Sequence, residues 1–213
     1  MTVQRATVWS VVHEERATLC RDLATLAPEQ WSAPTACTGW DVHDVVAHLV
    51  DSAKATRLGF VRDMLAARGD FDRQNAFGVA RERRDDPRDT LRAFRSVVTR
   101  TSAPPAPVAT RLVEAFVHGE DIRRAVGLRG DYPPGPVVTA LAHQLRTTVR
   151  MGGGKELAAG LRLVASDAPL DTGSGPEVRG PAIALLLAVS GRAVEPGELT
   201  GPGVTVLAER AAS

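Results

Sequence analysis

The sequence predicts a mainly helical fold, a bundle of four helices followed by a small domain of mixed helix and strand. Three observations predict it. Apolar residues recur at three- and four-residue spacing through most of the chain up to Val126, the mark of amphipathic helices. The breaks between those stretches are short and carry Gly, Pro or Asp. Beyond Gly127 the pattern changes to Gly- and Pro-rich breaks around short apolar runs.

Each element follows in turn. Thr7 to Leu26 places Val8, Val11, Val12, Leu19, Leu23 and Leu26 on one helical face. Ala27 to Gly39 holds two prolines and ends in Thr38-Gly39, so it reads as a loop. Asp41 suits a helix cap, and Asp44 puts a second carboxylate beside the exposed first-turn amides. That second helix, with Val42, Val45, Val46, Leu49, Val50 and Ala53 inward, is predicted to run to about Ala67 and to end at Gly69. Arg73 to Arg84 is arginine-rich and free of proline up to the break at Asp85-Asp86-Pro87, and a third helical stretch continues from Arg88 to Thr101. Ser102 to Pro107 is a stiff turn. A fourth helix from about Val108 to Val126 stops at Gly127.

Four long helices with short connections suggest an antiparallel bundle over residues 1–127. Residues 128–213 read as a small α/β domain. Leu128 to Gly135 is its linker, Val137 to Arg150 a helix, and Gly152-Gly153-Gly154 a flexible break. Leu161 to Ala165 is a short strand, Pro181 to Val189 an apolar helix closed by Gly191, and Val204 to Leu207 a last strand.

Composition narrows the function. Hydrophobic residues make up 44% and charged residues 24%, the balance of a globular protein rather than a disordered one. A formal net charge of +1 supplies no one-sided field for nucleic acid or an anionic membrane. Lys54 and Lys155 are the only lysines, and that skew toward arginine suggests a GC-rich genome. The N-terminal sequence lacks a signal-peptide pattern, and the longest apolar run, Ala182 to Ser190, is too short to span a bilayer. A cytoplasmic protein is expected, with Cys20 and Cys37 as free thiols in a reducing compartment.

Few residues offer chemistry. No serine sits in a nucleophile elbow, and Met151-Gly-Gly-Gly-Lys155 has the wrong spacing for a phosphate loop. Glu114 and His118 lie four residues apart on a helix, with Asp121 three further along the same side. That stripe fits either a shared cation or a solvated face, since Leu112, Val113 and Phe116 lie roughly opposite. His48 sits about sixty degrees outside the apolar stripe of its helix and is a ligand or a boundary residue. Cys37 is an extra ligand or a packing residue. His43 is read as exposed and structural, and His13 as solvated.

Two segments together carry a family resemblance. The first runs Pro34-Thr-Ala-Cys37-Thr-Gly39-Trp40-Asp-Val-His-Asp-Val-Val-Ala-His48-Leu. The second runs Val113-Glu114-Ala-Phe-Val-His118-Gly-Glu-Asp121-Ile. They resemble the mycothiol-dependent maleylpyruvate isomerase family, with its Cys-x-Gly-Trp loop, Val-Ala-His-Leu helix and later Glu-x-x-x-His-x-x-Asp helix. Leu161 to Asp167, Gly175 to Pro181 and Leu185 to Arg192 resemble segments of the same family's second domain. The resemblance implies a DinB-like up-down four-helix bundle and a small, sterol-carrier-like α/β domain.

It also implies a site. Carried over position by position, the zinc ligands are His48, Glu114 and His118, with Asp121 supporting an imidazole or the helix end. Three protein ligands leave one coordination position open, as in catalytic zinc sites. The thiol cosubstrate would be mycothiol, the actinobacterial counterpart of glutathione, made nucleophilic as a zinc-stabilised thiolate toward a small electrophile. Arg192 is the candidate clamp for a substrate carboxylate, with Arg179 second. The expected function is therefore a zinc- and mycothiol-dependent thiol transferase or isomerase. A non-catalytic metal-binding or thiol-stress-sensing protein is the alternative.

Overall fold

The computed structural model describes residues 2–212, with side chains from Arg5 onward; Met1 and Ser213, the outer limits of the predicted domain ranges, lie outside it. Among the described residues the fold is mainly helical, with a small three-stranded sheet near the C-terminus. The chain forms two compact units. Among the described residues the first comprises residues 2–111 and 118–130, the second 112–117 and 131–212.

The first unit is built on helices α1 (Thr2–Ala24), α2 (Val42–Lys54), α3 (Arg57–Ala66), α4 (Phe71–Glu82), α5 (Pro87–Ser96) and part of α6 (Thr110–Ala125). Four of them share one core: Leu19 and Leu23 of α1, Val42, Val45, Val46, Leu49, Val50 and Ala53 of α2, Leu91 and Phe94 of α5, and Ile122 of α6. This is the predicted four-helix arrangement. It forms because each of these helices keeps its apolar residues in one stripe and loses surface only by facing the others.

α2 begins where the sequence places its cap. The Asp41 carboxylate accepts from the Asp44 amide at 2.8 Å, and Asp44 accepts from the Asp41 amide at 3.2 Å. Arg83 donates to both carboxylates, at 2.9 and 2.7 Å, which offsets their mutual repulsion. The helix ends earlier than predicted. Ala55 is extended at ψ 126° and the Thr56 hydroxyl accepts from the Gly59 amide at 3.0 Å, so a new helix, α3, starts instead of the old one continuing. α4 then packs beside α2.

The second unit contains α7 (Pro134–Gln144), strands β1 (Arg162–Ala165), β2 (Asp171–Gly173) and β3 (Glu177–Gly180), and helices α8 (Ala182–Val189) and α9 (Val204–Ala211). The strand order is β2-β1-β3, with β1 antiparallel to β2 and parallel to β3. α8 is apolar all round and buried, packed against α7, α9 and the sheet. Its first amide is satisfied from a distance, by the Asp167 carboxylate at 2.8 Å.

Two expectations for this unit need correction. The predicted last strand, Val204 to Leu207, is the start of helix α9, which packs on α8 with Leu207 buried and Thr205, Ala208 and Glu209 exposed. The glycine triplet is a packing point rather than a flexible break. A Cβ at Gly153 would stand 2.1 Å from the Thr147 carbonyl oxygen, and one at Gly154 2.0 Å from that of Val189. Only glycine permits so close a backbone approach. The lone aromatic pair of this unit among the described residues is Phe116 on Tyr132, edge to face at 5.2 Å.

Candidate metal centre

The site is assembled by one loop and two helices of the first unit. The loop runs from Ala33 to Asp41 and is tied at several points. The Thr35 hydroxyl donates to the Trp40 carbonyl at 2.9 Å and accepts from the Cys37 amide at 3.2 Å. The Trp40 amide donates to the Cys37 carbonyl at 3.0 Å, and Gly39 makes the turn between them at φ 79°. Glycine at that position thus fixes where Cys37 and Trp40 point.

Cys37 points at α6. Its Sγ lies 3.1 Å from Asp121 Oδ2 and 3.6 Å from His118 Nδ1. His118 Nδ1 is itself 3.0 Å from the same Asp121 oxygen. Their ligand atoms all fall within 4.8 Å of one another. The sequence leaves this cysteine as either an extra ligand or a packing residue; the structure puts it among groups of metal-ligand type. Cys20 contrasts with it. That thiol is buried in the core, and burial pushes it up to about 11.

His48 reaches the same place from α2. Its ring centroid is 5.0 Å from that of His118 at 76°, and 5.2 Å from that of Trp40. Glu114 is half-buried on α6, one turn before His118, in the stretch of that helix grouped with the second unit. Asp121 is only 2% exposed. The α6 stripe is therefore not the solvated face that spacing alone allowed.

The electrostatics follow from this burial. Desolvation works against a charged His118 ring, but hydrogen bonding to Asp121 and Cys37 outweighs it and raises the group to about 9. A cation arriving here would compete with that proton. With Nδ1–H directed at Asp121, the lone pair of Nε2 is the one His118 can offer outward. Imidazole, carboxylate and thiol donors suit zinc or a similar divalent ion, and the residues present fit such a group.

The remaining sequence candidates have partners of their own. His43 is buried rather than exposed, with Nε2 2.7 Å from the Thr90 hydroxyl, and burial lowers its pKa. Its role is structural. His13 lies 3.4 Å from the Arg100 carbonyl. In the second unit Arg192 donates to the Ser190 carbonyl at 3.0 Å, on the wall of a mostly apolar cavity of about 350 Å³ bounded by α8 and α9. Arg179 pairs with Glu177 at 2.8 Å on β3. Among the described residues no helix is long and apolar enough to cross a membrane.

Comparison with known proteins bears on the whole arrangement. No curated protein matches the sequence. Two crystal structures of mycothiol-dependent maleylpyruvate isomerase, one of them a histidine-to-alanine variant, share the fold. Their TM-scores are 0.64 and 0.65 at 16% and 15% identity, over 93% of this chain and 92% of theirs. The family model described as the mycothiol maleylpyruvate isomerase N-terminal domain matches residues 12–123, a little over half of the sequence. The chain therefore belongs to the mycothiol maleylpyruvate isomerase N-terminal domain family.

Proposed function

We propose that this protein is a zinc-dependent enzyme that uses mycothiol as a thiol cosubstrate to transfer sulfur to, or isomerise, a small electrophile. Residues 1–127 form its metal-binding domain and 128–213 a second domain. His48, Glu114 and His118 hold the metal. The observation that carries the reading is the meeting of two imidazoles from α2 and α6, with Asp121 on the inner nitrogen of one of them. When bound, the ion lowers the pKa of a coordinated thiol and so supplies a thiolate at neutral pH.

The chain's own residues do the rest. Asp121 fixes the His118 tautomer and ring orientation. Trp40, tilted against His48 with the ring centroids 5.2 Å apart, keeps water from one side of that ring. Arg192 serves as the clamp for a carboxylate on the electrophile. A reducing cytoplasm keeps both the cosubstrate and Cys37 as thiols.

The non-catalytic alternative, metal binding or thiol sensing, draws on a specific observation of its own. Cys37, His118 and Asp121 form a ligand set without His48 or Glu114. The two readings use opposite nitrogens of His118, so they separate cleanly. Elemental analysis of the wild type beside His48→Ala and His118→Ala is the first test. The enzyme reading expects about one zinc per chain and its loss in both variants; zinc retained in His48→Ala overturns it. Metal-dependent consumption of mycothiol with a chlorinated aromatic electrophile then decides for catalysis, and no turnover across a broad electrophile panel decides against it.

A further inference from the structure

A cleft of about 650 Å³ opens in the first unit between the end of α2, α3 and α4. Its size is that of a small-molecule site, roughly 300–1,000 Å³. Asp51, the first residue of its wall, comes three positions after His48 on α2, so the cleft begins one helical turn along from a proposed metal ligand. Beside the apolar Leu58 and Phe60, the charged groups of its lining are balanced: Asp51, Asp63 and Glu82 against Lys54, Arg62 and Arg81.

These groups hold one another in place. Arg81 bridges Asp51 at 2.6 Å and Asp63 at 3.1 Å, Lys54 pairs with Glu82 at 2.7 Å, and Arg62 with Asp63 at 2.8 Å. Asp51, Glu82 and Gln74 are buried, which gives the cleft a polar floor. The floor is built at some cost to the helix behind it. Gly78 lies inside α4, where glycine is destabilising, yet a Cβ there would stand 2.4 Å from Asp51 Oδ2.

Balanced charge offers no capture of a strongly ionic ligand. Fixed donors and acceptors side by side do suit hydroxyl groups, each of which donates and accepts. We infer that this cleft seats the hydroxyl-rich body of the thiol cosubstrate, the sugar and cyclitol rings of mycothiol, while its sulfur end extends toward His48. The inference rests on the metal and thiol reading above.

Glucosaminyl inositol, the part of mycothiol that lacks the thiol, is the direct probe. Calorimetric titration should show saturable binding to both zinc-loaded and metal-free protein, weakened about tenfold in Asp63→Ala, the loss of one charged hydrogen-bond partner. In turnover, the ratio of KM for mycothiol to KM for N-acetylcysteine should rise by a similar factor in Asp63→Ala and in Arg62→Ala. Arg62 is largely exposed, so its removal does not threaten folding. No saturable binding of the probe to the wild type overturns the assignment, as does an unchanged KM ratio in both variants. If zinc-dependent turnover fails with every thiol while the probe still binds in an Asp63-dependent way, the enzyme reading falls and the cleft keeps its polyol. If both thiols are used equally well, the enzyme reading stands and the cleft assignment falls.

Discussion

Two of the polar clusters on helix α6 differ in what can be added to them. Around Arg123, 1% exposed, the guanidinium donates to Glu15 at 2.5 Å and to Asp22 at 2.7 Å. Around His118, five residues earlier, stand Asp121 and Cys37. Arginine stays protonated and has no lone pair to give, so the first cluster already holds its cation. Imidazole, carboxylate and thiol all become ligands on losing a proton, so the second has room for one. Burial alone therefore says little about function on this helix. The donor type says more.

Breaking the first cluster should have the largest effect. Arg123→Leu leaves Glu15 buried without its partner, and removal of one member of a buried pair costs about 3–5 kcal/mol. A melting temperature lower by about 10 °C is expected, with zinc per folded chain unchanged. Loss of zinc in the folded variant would show that the two clusters act as one. Asp121→Asn probes the other side of the comparison. It keeps the side-chain shape while removing the charge behind His118, so zinc affinity should fall about 10- to 100-fold in a competitive chelator titration. An unchanged affinity with a stability loss like that of Arg123→Leu would put Asp121 with the structural cluster.

The pH dependence separates the clusters further. Burial raises Glu15 to about 7, and the shared Arg123 guanidinium opposes that shift without overcoming it. The 2.5 Å contact alone would suggest a permanently ionised pair. The raised direction is the sounder one, because Arg123 also serves Asp22 and neutralises Glu15 only in part. A carboxyl raised in the fold contributes stability that is present below its unfolded value of 4.5 and lost as pH climbs through about 7. Wild-type stability should thus decline between pH 5 and 8 by on the order of 1–3 kcal/mol relative to Glu15→Gln. Parallel denaturation midpoints for the two proteins across that range would remove Glu15 from the account.

The two clusters also differ in how legible they were in the sequence. Helices α1, α2, α5 and α6 could be read because each buries one stripe, and periodicity records that directly. The split at Thr56 was hidden because Ala53 to Ala55 and Arg57-Leu58 are good helix formers and a hydroxyl decides the break. Val204-Thr-Val reads as a strand from its β-branched side chains, yet the chain there is helical. Strand β2 is three residues long and exposed, so it leaves no alternation to find. Of the proposed ligands, Glu114 and His118 were visible, with Asp121, as spacing on one helix, while His48 stood open between ligand and boundary residue until the family resemblance singled it out. The Cys37–His118 contact spans 81 residues and depends on the turn at Gly39. No periodicity encodes such a contact. The Cys-x-Gly-Trp pattern was its one visible trace.

Cys37 should therefore give the smallest and most discriminating effect. If the cation takes Nε2 of His118, the thiol supports the site from behind, through its hydrogen bond to Asp121 and its contact with His118 Nδ1, and a hydrogen bond of this kind is worth about 1 kcal/mol. Cys37→Ala should then keep stoichiometric zinc with an affinity lower by roughly fivefold, and Cys37→Ser, which can still donate to Asp121, should restore most of it. If instead the ion sits among Cys37, Asp121 and Nδ1, both substitutions delete the sulfur ligand, and the serine variant rescues little because a hydroxyl is a far weaker donor to zinc than a thiolate. The serine variant is thus the sharper of the two, since it changes the ligand while preserving the hydrogen bond.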